Sequence, residues 1–314
     1  MYFSSRAIAQ KQQKITFLSY LLRNSFRFIS TPSKIQVQPQ RITGATLITL
    51  LCPPSRPALT SMMFYTRPVA LNRAQHRNLT FDTRGGDFGF ARHTNSILLA
   101  ASEIGEAARD YPVVFVAGAG DTFTLAALLG LRDGENLFVD AAGKWDSCAY
   151  VPAFARRYPF VLAEGGAGDT ELTVCIDEAS DRLGEHAGEP LFDANGMETA
   201  LLQSATEFLT LFHREMQQTA LFAKALFDAG LLVPKTIEIV SGERHHLLDG
   251  LFVVDREQLA ALDDARVLEL TRNGAMYAIH AHLVSLGQVE RLAQRLERLL
   301  ETTSDSALAS TSAP

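Results

Sequence analysis

The chain has few of the residues that build disulfide frameworks, metal clusters and membrane spans. Among its 314 residues it has three cysteines, Cys52, Cys148 and Cys175, and no two of them have C-x-x-C spacing. This pattern predicts neither a disulfide framework nor a zinc site, and it favours a reduced, cytoplasmic protein. No apolar run reaches the roughly 18 to 20 residues that a membrane-spanning helix needs. The sequence therefore predicts no membrane span, no metal site and no cofactor.

Acidic residues are missing from the first 81 positions, which contain eleven Lys or Arg; Asp82 is the first acid. The remaining chain carries 18 basic and 35 acidic residues, a net charge of −17. Affinity for nucleic acid comes mostly from Lys and Arg that neutralise phosphates. A body this acidic therefore predicts no nucleic-acid binding.

Residues 1–61 differ in composition from the rest of the chain. They are basic, rich in Ser, Thr and Gln, and interrupted by five prolines. This composition is typical of an Arg-rich transit peptide. The alternative, which we favour, is an over-extended reading of the start codon, because Met62 and Met63 directly precede ordinary globular sequence. In either case we predict disorder over residues 1–62, one domain over residues 63–300 and a disordered tail over residues 301–314.

Short apolar runs separated by turn residues predict an antiparallel sheet. VVFVAG at 113–118 and TFTLAALLGL at 122–131 are typical strands, and GAGDT at 118–122 is a typical hairpin turn. NLFVDAAGKW at 136–145 predicts a third strand, and LTVCIDE at 172–178 a fourth. Parallel strands need crossover connections of about a dozen or more residues, so these short connections favour an antiparallel meander.

Helical periodicity predicts a long helix from about Glu198 to Ala229, ended by Gly230, and a last helix from about Met276 to Leu300. Residues 97–111 predict a helix or an irregular segment, and VPAFARRY at 151–158 a short helix. Residues 231–255 predict a hairpin, after which Asp255 caps another helix. We therefore predict an α+β fold: a mostly antiparallel sheet packed against two or three helices, in a single domain.

The segment 136–160 concentrates the candidate binding residues, which are Trp145 (the only tryptophan), Tyr150, Arg156, Arg157, Tyr158 and Phe160. Aromatic rings can stack on a ligand while a guanidinium group holds its carboxylate. The segment therefore predicts a pocket for a small-molecule or peptide ligand. The alternative, which we favour, is that the aromatic residues belong to the core and that one arginine is solvated or forms a structural ion pair.

Two carboxylates extend this candidate site. Asp140 and Asp177 each end a predicted strand, and with Arg156 or Arg157 they would form a buried charge cluster of the kind found at functional sites. The favoured alternative is a role in a turn or a cap. No catalytic residue is predicted, because Ser204, Ser285 and Cys175 lie in no motif that supplies a base or an oxyanion hole.

Two pairs of histidines are of the residue type that binds metals, but the geometry of each pair favours a structural role. On a helix, His280 and His282 diverge by about 200°, which favours one histidine facing the core and one exposed. His245 and His246 follow a glycine turn in the predicted hairpin, where adjacent side chains point to opposite faces. Neither pair predicts a metal site.

From about Met63 to Leu299 the chain resembles the bacterial SapC family. The matching pieces, in family order, are YPVVFV at 111–116, LLGL at 128–131, the segment 135–160, VCIDE at 174–178, PLFDANG at 190–196, LFDAGLLVP at 226–234, LLDGLFVVDREQLAAL at 247–262 and AMYAIHAHLVSLGQVERL at 275–292. Taken together these pieces are specific, although each alone is weak. A peptide-transporter permease shares the family's name, but it needs membrane spans that this chain lacks.

The resemblance implies a biological context and no reaction. The family's name links it to surface-layer biology, and related genes often lie beside outer-membrane TonB-dependent receptors. We therefore expect a non-catalytic binding or accessory protein, with a protein partner from outer-membrane uptake or surface-layer systems. The alternative is an enzyme or auxiliary subunit that acts on a small aromatic or peptide-like ligand held by the Trp145–Tyr158 segment.

Overall fold

The computed structural model describes residues 63–120, 122–164, 172–185, 188–241 and 244–311. The predictions for residues 1–62, including Cys52, lie outside these ranges. The described strands are β1 (Pro68–Ala70), β2 (Thr80–Phe81), β3 (Ser96–Leu99), β4 (Val113–Ala117), β5 (Phe123–Leu128), β6 (Phe160–Glu164), β7 (Leu172–Asp177), β8 (Leu183–Gly184), β9 (Glu189–Pro190), β10 (Leu232–Ser241) and β11 (Arg244–Val254).

These strands form one five-stranded sheet and two three-stranded sheets. The larger sheet has the order β10-β11-β4-β5-β3, and the smaller ones have the orders β1-β7-β6 and β8-β2-β9. Each pairing is antiparallel. As predicted, β4 pairs antiparallel with β5, in register from Val113↔Ala127 to Ala117↔Phe123; Asp121 of the predicted GAGDT turn lies outside the described residues. The predicted hairpin at 231–255 is confirmed as β10 and β11.

The described helices are α1 (Ile104–Ala107), α2 (Ala153–Arg156), α3 (Ala200–Asp228), α4 (Arg256–Ala260), α5 (Asp264–Arg272), α6 (Ala275–Ser285) and α7 (Gln288–Thr311). Local chemistry fixes the ends of the longest one. The Thr199 hydroxyl accepts a hydrogen bond from Leu202 N at the start of α3. Gly230, at φ 70°, takes the left-handed conformation that follows its end. Asp255 caps α4 as predicted, accepting from Glu257 N and Gln258 N.

Three secondary-structure predictions are wrong in part. Residues 136–145 form turns with one isolated bridge, Val139↔Trp145, in place of a strand. Residues 97–111 begin as β3 and continue as a 3₁₀ turn and α1. The last predicted helix is divided at Gly287 into α6 and α7, and α7 continues to Thr311, beyond the predicted end near Leu300. Strand β6, which directly follows α2, was not predicted.

The buried side chains form two hydrophobic clusters. The larger cluster lies on the five-stranded sheet and includes Phe115, Leu125 and Ile279. The smaller one joins residues of the two three-stranded sheets, including Phe81, Phe160 and Ile176. Helix α3 contributes to both, with Phe208, Phe212, Ala223 and Leu226 in the larger cluster and Leu202, Ala205 and Leu209 in the smaller. The predicted α+β fold with antiparallel sheets is therefore confirmed.

Candidate functional site

Trp145 lies in the core. Its side chain is 7% exposed, and its ring meets Phe88 edge-on with centroids 5.5 Å apart. The indole Nε1 donates a hydrogen bond to the Tyr111 hydroxyl at 3.0 Å, and that hydroxyl donates in turn to the carbonyl of Tyr150. Burial raises the pKa of Tyr111 well above its usual range. The indole N–H thus has the internal partner that a buried tryptophan requires.

Arg156 belongs to a buried network centred on Glu103. The Tyr150 hydroxyl and the Ala153 N–H donate to Glu103 Oε1 at 2.6 and 2.7 Å. Arg156 Nη2 lies 3.6 Å from the same oxygen and donates to the Tyr150 hydroxyl at 3.0 Å, while its Nε donates to Val151 O. Burial and the Glu103 charge raise the pKa of Tyr150 well above its usual range. The positive charge of Arg156 is therefore compensated by a carboxylate.

Arg157, the next residue, is buried among aromatic rings, and no carboxylate in the described part of the chain forms an ion pair with it. It is 8% exposed, and its guanidinium carbon lies 3.9 Å from the Phe154 ring centroid, 5.3 Å from that of Phe212 and 5.7 Å from that of Tyr65. Its Nε and Nη2 are sealed from solvent and have no hydrogen-bond partner among the described residues. Burial lowers the pKa of Arg157, and the neighbouring Tyr65 hydroxyl opposes the shift.

Asp177 ends β7 as a fully buried carboxylate that fixes the start of the described chain. Its Oδ1 accepts from Arg67 N at 2.8 Å and from Ala179 N at 3.2 Å. Its Oδ2 accepts from Thr66 N at 3.0 Å and from the Tyr158 hydroxyl at 3.2 Å. Burial, together with the Asp177 charge, raises the pKa of Tyr158 to about 12. Asp177 therefore acts as a cap for backbone N–H groups.

Asp140 is exposed and stabilises a turn. Its Oδ1 accepts hydrogen bonds from Ala142 N at 2.9 Å and Lys144 N at 2.8 Å. The turn also has bonds between Asp140 N and Lys144 O and between Gly143 N and Asp140 O. Asp140 and Asp177 therefore have separate hydrogen-bonding roles, and the structure does not join them with an arginine in a charge cluster.

A narrow cleft lies between the end of α2 and α3; its empty space of about 300 Å³ includes open solvent, and its enclosed part is only about 10 Å³. It brings together side chains from β2, the end of α2, β6 and α3, which are Phe81, Arg156, Arg157, Tyr158, Phe160, Leu201, Ala205, Phe208 and Leu209. Of the predicted site residues, Arg156, Arg157, Tyr158 and Phe160 line this cleft, whereas Trp145, Tyr150, Asp140 and Asp177 do not. The cleft residues on α3 were not predicted as site residues, because helical periodicity indicates only that this face of the helix is buried.

The two histidine pairs lie on different elements, His280 and His282 on α6 and His245 and His246 on β11. His282 is fully buried on α6 and His280 is exposed on the same helix, as the helical geometry predicts. His245 and His246 pair with Val240 and Ile239 across the β10–β11 hairpin. In the part of the chain that the structure describes, no group of three or more His, Cys, Asp or Glu residues could hold a metal ion. No described helix is long and apolar enough to cross a membrane.

The fold and the cleft define an α+β protein with antiparallel sheets and a mainly apolar cleft beneath a long helix. The sequence model of the SapC family matches residues 71–292. Since this match covers most of the chain, the chain belongs to the SapC family. No curated protein and no solved structure matches it.

Proposed function

We propose that this SapC-family chain is a non-catalytic binding protein and that the cleft between α2 and α3 is its ligand site. The observation that carries the proposal is the composition of the cleft. Six of its nine lining residues are apolar, and the other three are Arg156, Arg157 and Tyr158. Apolar walls with a few polar groups are typical of small-molecule sites.

The same composition argues against catalysis at this site. The lining residues include no nucleophile, carboxylate or histidine that could transfer a proton or attack a substrate. Tyr158 donates its hydroxyl hydrogen to buried Asp177, and its pKa is raised to about 12, far from the range of a useful acid or base. The alternative of an enzyme or auxiliary subunit would be favoured by a pocket shared by Trp145, an arginine and an aspartate. In the described part of the chain, Trp145 is buried and bonded to Tyr111, and Trp145, Asp140 and Asp177 do not line the cleft, which gives this alternative less support.

The biological setting belongs to the same proposal and has separate support. We place the protein in the cytoplasm, as an accessory to outer-membrane uptake or surface-layer systems. The resemblance to the family supports the link to those systems, and the cysteine pattern supports the compartment. The cleft supports only the binding part of the proposal, and it says nothing about the compartment or the partner.

The test is ligand-induced thermal stabilisation of the full chain. The probes are aromatic amino acids, their dipeptides, benzoate and hexanoate. A ligand present at about ten times its Kd stabilises the folded state by about 1.4 kcal/mol, which raises the Tm by roughly 3 to 6 °C. We expect at least one probe to give a saturable shift.

A matched pair of variants locates the site. Ala205→Leu adds bulk inside the cleft, whereas Ala220→Leu makes the same change at an exposed position of the same helix. We expect Ala205→Leu to abolish the probe-induced shift and Ala220→Leu to retain it. If no probe shifts the Tm, or if Ala205→Leu binds as well as the original chain, the cleft is not the ligand site.

A further inference from the structure

We propose that Asn195 is a modification site, at which the folded protein deamidates without an enzyme and gives aspartate and isoaspartate. Isoaspartate is an aspartate that continues the main chain through its side-chain carboxyl group. The proposal goes beyond the binding function and does not depend on the cleft. It follows from the different surroundings of the two Asn-Gly pairs in the sequence, Asn195-Gly196 and Asn273-Gly274.

The chemistry needs no reagent other than water. The main-chain nitrogen of the glycine loses its proton to solvent and attacks Cγ of the asparagine. The new N–Cγ bond closes a five-membered imide ring, and the Cγ–Nδ2 bond breaks as ammonia leaves. Water then opens the ring at Cγ to give aspartate, or at the main-chain carbonyl to give isoaspartate. Glycine favours the attack because it has no side chain in the way and its backbone turns freely.

The two Asn-Gly pairs have the same local turn. Gly196 and Gly274 both have positive φ, 76° and 80°. Gly196 N donates to Asp193 O at 2.9 Å, and Gly274 N donates in the same way to Thr271 O at 3.3 Å. Both asparagines are exposed. Since the reaction must break the glycine N–H bond in either turn, a difference in rate has to come from the asparagine side chains.

The side chain of Asn195 is free to reach the reactive geometry. Its main-chain N–H donates to Asp193 Oδ1 at 2.9 Å, but its amide group makes no hydrogen bond within the described part of the chain. Exposed side chains change rotamer within nanoseconds. Cγ of Asn195 can therefore approach Gly196 N without the loss of any side-chain hydrogen bond.

The side chain of Asn273 is held between two helices. Asn273 follows the last residue of α5, and its N–H donates to Glu269 O at 3.1 Å. Its Oδ1 accepts a hydrogen bond at 2.9 Å from the N–H of Ala275, the buried first residue of α6. Release of one such bond slows a reaction by roughly tenfold. We therefore expect Asn195 to deamidate at least about tenfold faster than Asn273.

Isoaspartate at position 195 would alter the turn that leads into α3. Asp193 Oδ1 accepts from Asn195 N and from Met197 N, which lie on either side of the altered linkage. The turn is also closed by the bridge between Phe192 and Glu198. Because isoaspartate lengthens the main chain by one carbon, these contacts cannot all keep their geometry. We therefore expect the modified protein to have a lower Tm.

The test follows both sites in the full, unaltered chain during incubation at neutral pH. Peptide mapping by mass spectrometry measures the loss of each amide, and methyl transfer by an isoaspartyl methyltransferase measures isoaspartate. In the folded chain, residue 195 should convert at least about tenfold faster than residue 273. In guanidinium chloride the two rates should become similar, because unfolding removes the hydrogen bond of Asn273.

A matched pair of variants connects the conversion to its effect on stability. Asn195→Gln keeps an amide but would need a larger ring, so it should neither convert at position 195 nor lose Tm with time. Asn273→Gln makes the same change at the other site and should convert at position 195 as the original chain does. Equal rates at the two sites of the folded chain, or no conversion at Asn195 while the unfolded chain converts, overturns the proposal. An unchanged Tm after conversion would refute the inferred effect on the turn.

Discussion

Lowering the pH from about 7.5 to 4 should destabilise the fold by about 3 kcal/mol through one buried histidine, His282. His282 lies on α6 and joins two neighbouring strands of the large sheet. Its Nε2 accepts a hydrogen bond from Val254 N of β11 at 3.0 Å, and its Nδ1 donates to Val113 O of β4 at 2.8 Å. Protonation of Nε2 would place two donors against each other in the core.

The magnitude follows from the difference in pKa between the folded and the unfolded chain. Burial lowers the pKa of His282 from 6.5 to about 4 in the folded state. Each pKa unit corresponds to about 1.4 kcal/mol, so the difference is worth about 3 kcal/mol. The contribution of the neutral imidazole to stability is complete above pH 6.5 and is lost as the pH falls towards 4. At about pH 5 the loss should be about 2 kcal/mol.

The assay is urea unfolding between about pH 7.5 and 4, followed by the fluorescence of Trp145, whose buried ring becomes exposed on unfolding. His282→Gln removes the titrating group, and His280→Gln makes the same change at an exposed position on the same helix. Stability should fall with pH less steeply in His282→Gln than in the original chain and in His280→Gln. Equal slopes in all three proteins, or an NMR titration of His282 with a midpoint above pH 6, would refute the reasoning.

Two further predictions concern stability. Asp177→Asn should lower the free energy of unfolding, measured with urea, by roughly 2 to 4 kcal/mol. The Asp177 carboxylate accepts hydrogen bonds from four donors, two on each oxygen, so in either orientation the NH₂ group of asparagine would face two of those donors. A decrease below about 0.5 kcal/mol would contradict this role. Gly143→Ala should cost about 1 kcal/mol more than Gly250→Ala. Both positions have positive φ, but a Cβ at Gly143 would lie 2.5 Å from Asp87 Oδ1, whereas one at Gly250 meets nothing within 4 Å. Equal losses of Tm would show that the contact with Asp87 relaxes freely.

Elements with local signals were predicted well. The periodicity and the glycine after it predicted α3, and the apolar runs on either side of a Ser-Gly turn predicted β10 and β11. The predicted strand at 136–145 failed for an equally local reason. Asn136 Oδ1 accepts from Phe138 N, and Asp140 Oδ1 accepts from two N–H groups of its own turn. Such side chains offer the backbone partners that compete with a sheet.

The candidate site depends on contacts between distant parts of the chain, so less of it could be predicted. The sequence indicated Arg156, Arg157 and Tyr158 as neighbours of a pocket, and all three line the cleft. It could not indicate that Arg156 meets Glu103 while Arg157 meets Phe212, because both contacts arise only from folding. Binding at these residues stays a prediction.

Helix α3 has a consequence for how the protein opens. Because α3 contributes side chains to both hydrophobic clusters, neither cluster can release the helix without exposing apolar surface of the other. Amide hydrogen exchange reports such openings as cooperative units. The buried middle of α3 should therefore exchange among the slowest amides of the chain, and the strands of the small sheets and of the large sheet should exchange together with it. A single helix would then make two packing units behave as one.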